Sequence, residues 1–276
     1  MPFKLTFVGG MPRSGTTFLQ IVLESHAGIA TARETHLADF YLGRCLKNLE
    51  TEERLTRSLD GIRHYVGMDQ MADLFRTLGI GIFEKFLAGK SGAQVVLEKT
   101  PANIEYIRYL NMCFPEAIFL HIIRDPRAVV ASMKAAAAQE WGSWAKQDVG
   151  QIARRWLQIV ERAELDSAPL EDRYLQIQYE DLLVRGNAVI NDVFRRIGIS
   201  PIEGLPADLR TRFPLNSMKD LGFAADHPRH ETRPDFFRLG EADSWRKELT
   251  QVEIASIEAI CGRKMKTLGY DGVAVA

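Results

Sequence analysis

Apolar positions fall into two kinds of run along this chain. The first kind is short and nearly continuous, at residues 3–8, 94–97, 117–123 and 174–178. Runs of this length bounded by turn formers predict strands, and strands apolar on both faces belong to parallel sheets covered on both sides. The second kind repeats with helical period. It predicts helices over 18–26, 103–113, 151–164, 187–197 and 251–268, and another after Pro126, where Val129, Val130, Met133 and Ala137 share one face. Residues 28–31 read as a loop or short strand. Residues 37–87 read as helical, with breaks expected near Gly61, Gly67 and Gly79. The proline-rich segment 201–240 excludes a long helix or a central strand. Strands alternating with helices define an α/β class: a mostly parallel sheet with helices on both faces. With no linker or repeat in view, one domain over 1–276 is expected.

The first strand runs directly into Gly9-Gly10-Met11-Pro12-Arg13-Ser14-Gly15-Thr16-Thr17 and then a helix. Strand, glycine-rich turn and helix make an anion cradle, because the first N–H groups of a helix have no partners within it and the helix dipole adds positive charge there. From Gly10 the glycine spacing also fits a triphosphate loop, in which the second glycine is followed by Lys and then Ser or Thr. Thr16 stands where that Lys belongs, which disfavours a nucleotide-dependent kinase, and Arg13 supplies the charge inside the loop instead. Lys99 ends the strand at 94–97, and Arg124 the strand at 117–123. Both therefore sit at the carboxyl edge where open α/β sheets bind ligands. Pro126 suits the first turn of the next helix, and Ser132 falls beside that helix's apolar face. Within Ala32-Arg33-Glu34-Thr35-His36, Glu34 is a carboxylate beside an Arg and two residues before a His, which fits a helix-start charge or a solvated pair, while His36 is a candidate base because an unperturbed histidine titrates near neutrality. His121, inside an apolar strand, reads as a satisfied core histidine. Arg154, Arg155 and Arg162 read as a solvated helix face, since no aromatic interleaving accompanies them.

Pro12-Arg13-Ser14-Gly15-Thr16-Thr17 after a strand resembles the 5′-phosphosulfate loop of sulfotransferases that use 3′-phosphoadenosine 5′-phosphosulfate (PAPS), especially the tyrosylprotein and related bacterial branches. The segment from Ile122-Ile123-Arg124-Asp125-Pro126 to Ser132 resembles the family's 3′-phosphate segment. Glu98-Lys99-Thr100-Pro101, Gln178-Tyr179-Glu180-Asp181-Leu182 and Leu268-Gly269-Tyr270-Asp271 extend the resemblance, which is weak over 41–93 and 200–239. It implies a P-loop nucleotide-kinase-like fold and sulfuryl transfer from PAPS to a hydroxyl, or less readily an amine. It also implies catalytic roles for Glu34, Arg13 and Lys99. Glu34 takes the acceptor's proton, while Lys99 meets the oxygen that bridges to the transferred group. Donor binding is implied for Arg13, Ser14, Gly15, Thr16 and Thr17, with Arg124 and Ser132 at the 3′-phosphate. Tyr179 is implied near the adenine, where an aromatic face stacks on a base; a buried core tyrosine is the competing reading. Arg229, His230, Arg233 and Arg238 are further candidates to reach phosphate. The helical layer 37–87 either shapes an acceptor pocket or merely covers the sheet. A protein that binds adenosine 3′,5′-bisphosphate without chemistry remains an alternative, and it would need neither Glu34 nor Lys99.

Composition narrows the partners. The 35 basic and 36 acidic side chains nearly cancel, so no global field draws in nucleic acid or an anionic membrane, and any anion site is local. Cys45, Cys113 and Cys261 lie far apart, without zinc or redox spacing, and no metal is expected. No apolar run approaches the roughly 20 residues that span a bilayer, and the first strand leaves no room for a signal peptide. A cytoplasmic enzyme acting on a small hydroxylated molecule is expected, with a peptide hydroxyl as the alternative. That departs from the membrane-anchored tyrosylprotein enzymes.

Overall fold

A computed structural model describes residues 1–55, 62–213 and 240–270 of the chain. Its sheet contains the parallel strands β1 (Lys4–Gly9), β2 (Ile29–Thr31), β3 (Val95–Lys99), β4 (Ile118–Ile123) and β5 (Tyr174–Gln178), in the order β2-β3-β1-β4-β5. The helices are α1 (Thr16–Glu24), α2 (Gly43–Leu55), α3 (Met68–Ala88), α4 (Ile107–Cys113), α5 (Pro126–Ala137), α6 (Val149–Ser167), α7 (Asp181–Val184), α8 (Gly186–Ile197), α9 (Trp245–Glu248) and α10 (Gln251–Thr267). A π-helical turn, Leu37–Leu42, leads into α2.

Alternation along the strands explains why helices cover both faces. Leu5 and Phe7 of β1, Val96 of β3, and Phe119 and Ile123 of β4 pack with α2 to α6 and α10. Val8, Leu97, Leu120, Ile122 and Ile177 pack on the opposite face with α1 and α8. Phe7 is the hub of the first face, its ring 5.5 Å from Phe119, 5.7 Å from Phe114 and 6.1 Å from Phe83. Each such aromatic pair adds about 0.5–1.5 kcal/mol beyond the burial of apolar area.

The strand order positions the site. The chain leaves β1 for the β2 edge, returns to β3, then crosses to β4 on the other side of β1. A crevice opens where the connections diverge, at the carboxyl ends of β3, β1 and β4. The register sets Val8 beside Lys99 and Gly9 beside His121, so Lys99, the glycine-rich loop and Arg124 share one rim.

Several elements differ from the sequence reading. Gly79 does not break a helix; it lies inside α3, and a Cβ there would stand 2.5 Å from Phe114 Cζ, so it permits close packing. Gly67 does start α3 as its N-cap, whereas Gly61 lies outside the described residues. The helix read over 103–113 is a 3-10 turn, Pro101–Glu105, followed by α4. Of segment 201–240, residues 201–213 carry one 3-10 turn, Leu209–Thr211. Arg229, His230, Arg233 and Arg238 lie outside the described residues. His121 is a core histidine, with Nδ1 2.7 Å from the Tyr174 hydroxyl. Burial lowers its pKa to about 3. Among the described residues no helix is long and apolar enough to cross a membrane.

Candidate functional site

The loop after β1 is shaped by backbone geometry. Arg13 and Gly15 take left-handed conformations, at φ 74° and 98°. Gly15 meets a second demand, since a Cβ on it would lie 2.5 Å from the Tyr179 ring. Gly10 N–H donates to Pro101 O at 3.0 Å, and Ser14 N–H to Met11 O at 3.0 Å. The Ser14 and Thr16 side chains are buried, while Thr17 is half-buried. No side chain caps α1. The N–H groups of its first turn are therefore available to an anion.

On the β4 side of this loop, Arg13 Nε donates to Ser132 Oγ at 3.0 Å, across 119 positions of sequence. Arg124 follows β4 and lies 4.4 Å above the Tyr179 ring. Its Nη2 donates to Glu241 O at 2.9 Å and its Nη1 to Arg13 O at 3.4 Å. Arg124 Nε is buried with no hydrogen-bond partner among the described residues. Behind it the strand end is locked. The Trp156 indole donates to Arg124 O at 3.0 Å, and Asp125 N–H donates to Glu180 Oε1 at 3.1 Å. The Tyr270 hydroxyl donates to Glu180 Oε2 at 3.0 Å. Burial pushes the Glu180 carboxyl above the usual carboxylate range. Asp125 caps α5, and Arg127 grips it at 2.7 Å while also reaching Glu258 at 2.8 Å. Tyr179 is in the core beneath this assembly, and its hydroxyl donates to Gly240 O at 2.9 Å.

On the β3 side, Lys99 is buried and forms an ion pair with Glu34. Its Nζ also lies 3.4 Å from Thr17 Oγ1. Glu34 is about one-third exposed, and its other oxygen is 3.5 Å from His36 Nε2. His36 Nδ1 is 3.0 Å from Asp39, and its ring stacks on Phe40 at 4.6 Å. The two rival bases are thus neighbours, with Glu34 against Lys99 and His36 one step further out.

The sequence reading missed Glu98. Fully buried on β3, it accepts hydrogen bonds from Thr35 N–H (3.2 Å), the Thr35 hydroxyl (2.9 Å), the Thr100 hydroxyl (2.7 Å) and the Asn103 amide. A buried carboxylate requires such partners. Here they pin the loop that carries Glu34 and His36 onto the sheet. The available signal was a carboxylate inside a strand buried on both faces. Gln20 of α1 assists by donating to Thr31 Oγ1 at 2.8 Å and Ala32 O at 2.9 Å. Among the described residues no cluster of three or more His, Cys, Asp or Glu could hold a metal ion.

Comparison with known proteins matches residues 6–203 to the model of one family, described as "Sulfotransferase family". Protein-tyrosine sulfotransferase 1 of Danio rerio is 24% identical over 196 residues, covering 71% of this chain and 53% of that protein. Carbohydrate sulfotransferase 5 of Mus musculus is 29% identical over 170 residues, covering 56% of this chain and 42% of that protein. The chain spans between about a quarter and a half of the length of the curated relatives it matches. Among solved structures, the sulfotransferase domain of the Synechococcus PCC 7002 olefin synthase superposes with TM-score 0.59 at 21% identity, covering 98% of this chain and 96% of that one. The sulfotransferase domain from the curacin biosynthetic pathway gives TM-score 0.60 at 17% identity, covering 98% and 99%. Mouse sulfotransferase SULT7A1, solved complexed with PAP, gives TM-score 0.55 at 15% identity, covering 95% and 85%. These likenesses show the fold, the P-loop nucleotide-kinase-like arrangement expected above.

Proposed function

The chain belongs to the sulfotransferase family, and from that premise we propose that it transfers a sulfuryl group from PAPS to a hydroxyl acceptor. The observation that carries this reading is the Lys99–Glu34 pair seated beside the uncapped start of α1. A pure nucleotide-binding site needs neither a base nor a leaving-group cation there, and a kinase of the triphosphate-loop type would need Lys in place of Thr16.

In this scheme the acceptor oxygen attacks sulfur in line, and the bond from sulfur to the bridging oxygen of the 5′-phosphate breaks. That oxygen keeps the electron pair. Lys99, Arg13 and the first N–H groups of α1 stabilise its growing charge. Glu34 accepts the acceptor's proton, because it is the carboxylate in contact with Lys99. The positive charge comes from side chains and amides, so the scheme requires no metal. Ser14, Gly15, Thr16 and Thr17 cradle the 5′ end, while Arg124 and Ser132 meet the 3′-phosphate. A buried N–H without a partner costs about 1–3 kcal/mol, and a phosphate oxygen at Arg124 Nε would remove that penalty. Tyr179 supports Arg124 from below at the adenine side. The mouse relative solved with PAP is a precedent for the same nucleotide. The three free cysteines favour a reducing compartment such as the cytoplasm.

Thermal unfolding with nucleotides tests the donor site. A ligand at about a hundred times its dissociation constant stabilises the fold by roughly 2.7 kcal/mol. Adenosine 3′,5′-bisphosphate should raise Tm well above the shift with AMP, and Arg124→Ala should abolish the difference. Equal shifts from both nucleotides in the unaltered chain would refute the 3′-phosphate assignment.

A further inference from the structure

Next to the base, large apolar side chains stand uncovered. Phe40 and Tyr41 are 58% and 59% exposed, and Ile62 is 51% exposed. Together with Cys45 and Leu49 they line a groove of about 360 Å³, within the range of small-molecule sites. Among the described residues of the lining, Arg44 is the one charged side chain, and Asn48 adds an amide.

One wall of the groove adjoins the chemistry. Phe40, one of its walls, lies nearly parallel to the His36 imidazole, with 13° between the planes, and His36 in turn approaches Glu34. The backbone beneath is the π-helical turn Leu37–Leu42. Such turns are uncommon and recur at functional sites.

Building on the sulfuryl-transfer reading, we infer that this groove binds the acceptor, and that the acceptor is a hydroxylated apolar acid. Its aryl or alkyl body lies along Phe40, Tyr41 and Ile62, its anionic group meets Arg44, and its hydroxyl points toward Glu34. Mostly apolar walls, with one cation and one amide, disfavour a sugar, which presents hydroxyls on every side, and the small volume disfavours an extended acidic peptide.

Cys45 reports occupancy without any turnover. It is half-buried in the groove, whereas Cys113 and Cys261 are buried elsewhere. Burial also raises the Cys45 thiol pKa, which lowers its thiolate fraction and slows alkylation. The rate of Cys45 modification by N-ethylmaleimide is followed by peptide mass mapping with 3-(4-hydroxyphenyl)propanoate, its carboxamide, glucose or an acidic tyrosine peptide present. The acid should protect best, the carboxamide less and glucose not at all. Arg44→Ala should weaken protection by the acid roughly twofold to fivefold and bring it level with the carboxamide. Tyr41→Ala should weaken both; each position is exposed, so folding is preserved. Protection by the peptide but not the acid, by glucose as well as the acid, by higher protein concentration alone, or by nothing would overturn the inference. The Tm response to adenosine 3′,5′-bisphosphate is read on the same samples. No protection with that response intact removes the groove and leaves sulfuryl transfer standing; protection without the response does the reverse.

Discussion

The two sides of the site's rim are built on different plans. On the β4 side each charged group has several fixed partners. Asp125 is held by Arg127, Arg127 also by Glu258, and Glu180 by the Asp125 N–H and the Tyr270 hydroxyl. On the β3 side Glu98 is held as firmly, by Thr35, Thr100 and Asn103, but the two exchangeable groups, Lys99 and Glu34, hold mainly one another, with Thr17 and His36 at longer range. The proposed division of labour explains the difference. A group that receives a fixed phosphate benefits from an over-determined position, whereas a base and a leaving-group cation must exchange partners within one turnover and are served by few contacts.

Glu34→Gln is the most severe way to break this contrast. Loss of a general base costs about 10² to 10⁴ in rate, so kcat should collapse while the Tm response to adenosine 3′,5′-bisphosphate persists. Near-normal turnover would move the base role to His36. The next effect in size belongs to the β4 side. His121 is held neutral by burial, with its pKa lowered to about 3, while an unfolded histidine titrates at 6.5. Below pH 6.5 the unfolded chain therefore binds a proton that the fold refuses. The stability present above that pH is lost as pH falls toward 3, at up to about 1.4 kcal/mol per pH unit. Urea unfolding of the unaltered chain and His121→Gln at pH 7, 5.5 and 4 should show a shallower loss in the variant; identical slopes would exonerate His121. The smallest effect is expected from Tyr270→Phe, which deletes one donor to Glu180. It should cost about 1 kcal/mol of stability and leave kcat alone. A kcat loss exceeding the stability loss would mean that the two sides do not act separately.

The sheet was legible because a parallel strand covered on both faces is written as an unbroken apolar run. The strand read at 117–123 is β4 at Ile118–Ile123, and 174–178 matches β5. β2 is three residues long, too short to show a pattern. The charged residues of the rim were legible because they end strands or follow glycines. Glu98 was hidden because Thr35, the partner through which it pins the Glu34 loop, lies 63 positions away, and beside a lysine it reads as solvated charge. The Arg13–Ser132 bond was hidden for the same reason of distance in sequence. Gly79 misled because a glycine that makes room for Phe114 looks, in sequence, like one that ends a helix.

The register of β1 has a consequence during synthesis. Lys4 pairs with Val95 and Thr6 with Ile118, so the first strand made waits about ninety residues for its nearer neighbour. At roughly 5–20 residues per second, the ribosome takes about 5–20 s to supply it. Throughout that interval Phe3, Leu5, Phe7 and Val8 have none of their sheet partners. The anion loop is incomplete as well, because Gly10 donates to Pro101. The nascent chain therefore offers an apolar segment suited to a holding chaperone, and the loop after β1 closes only once the third strand has emerged.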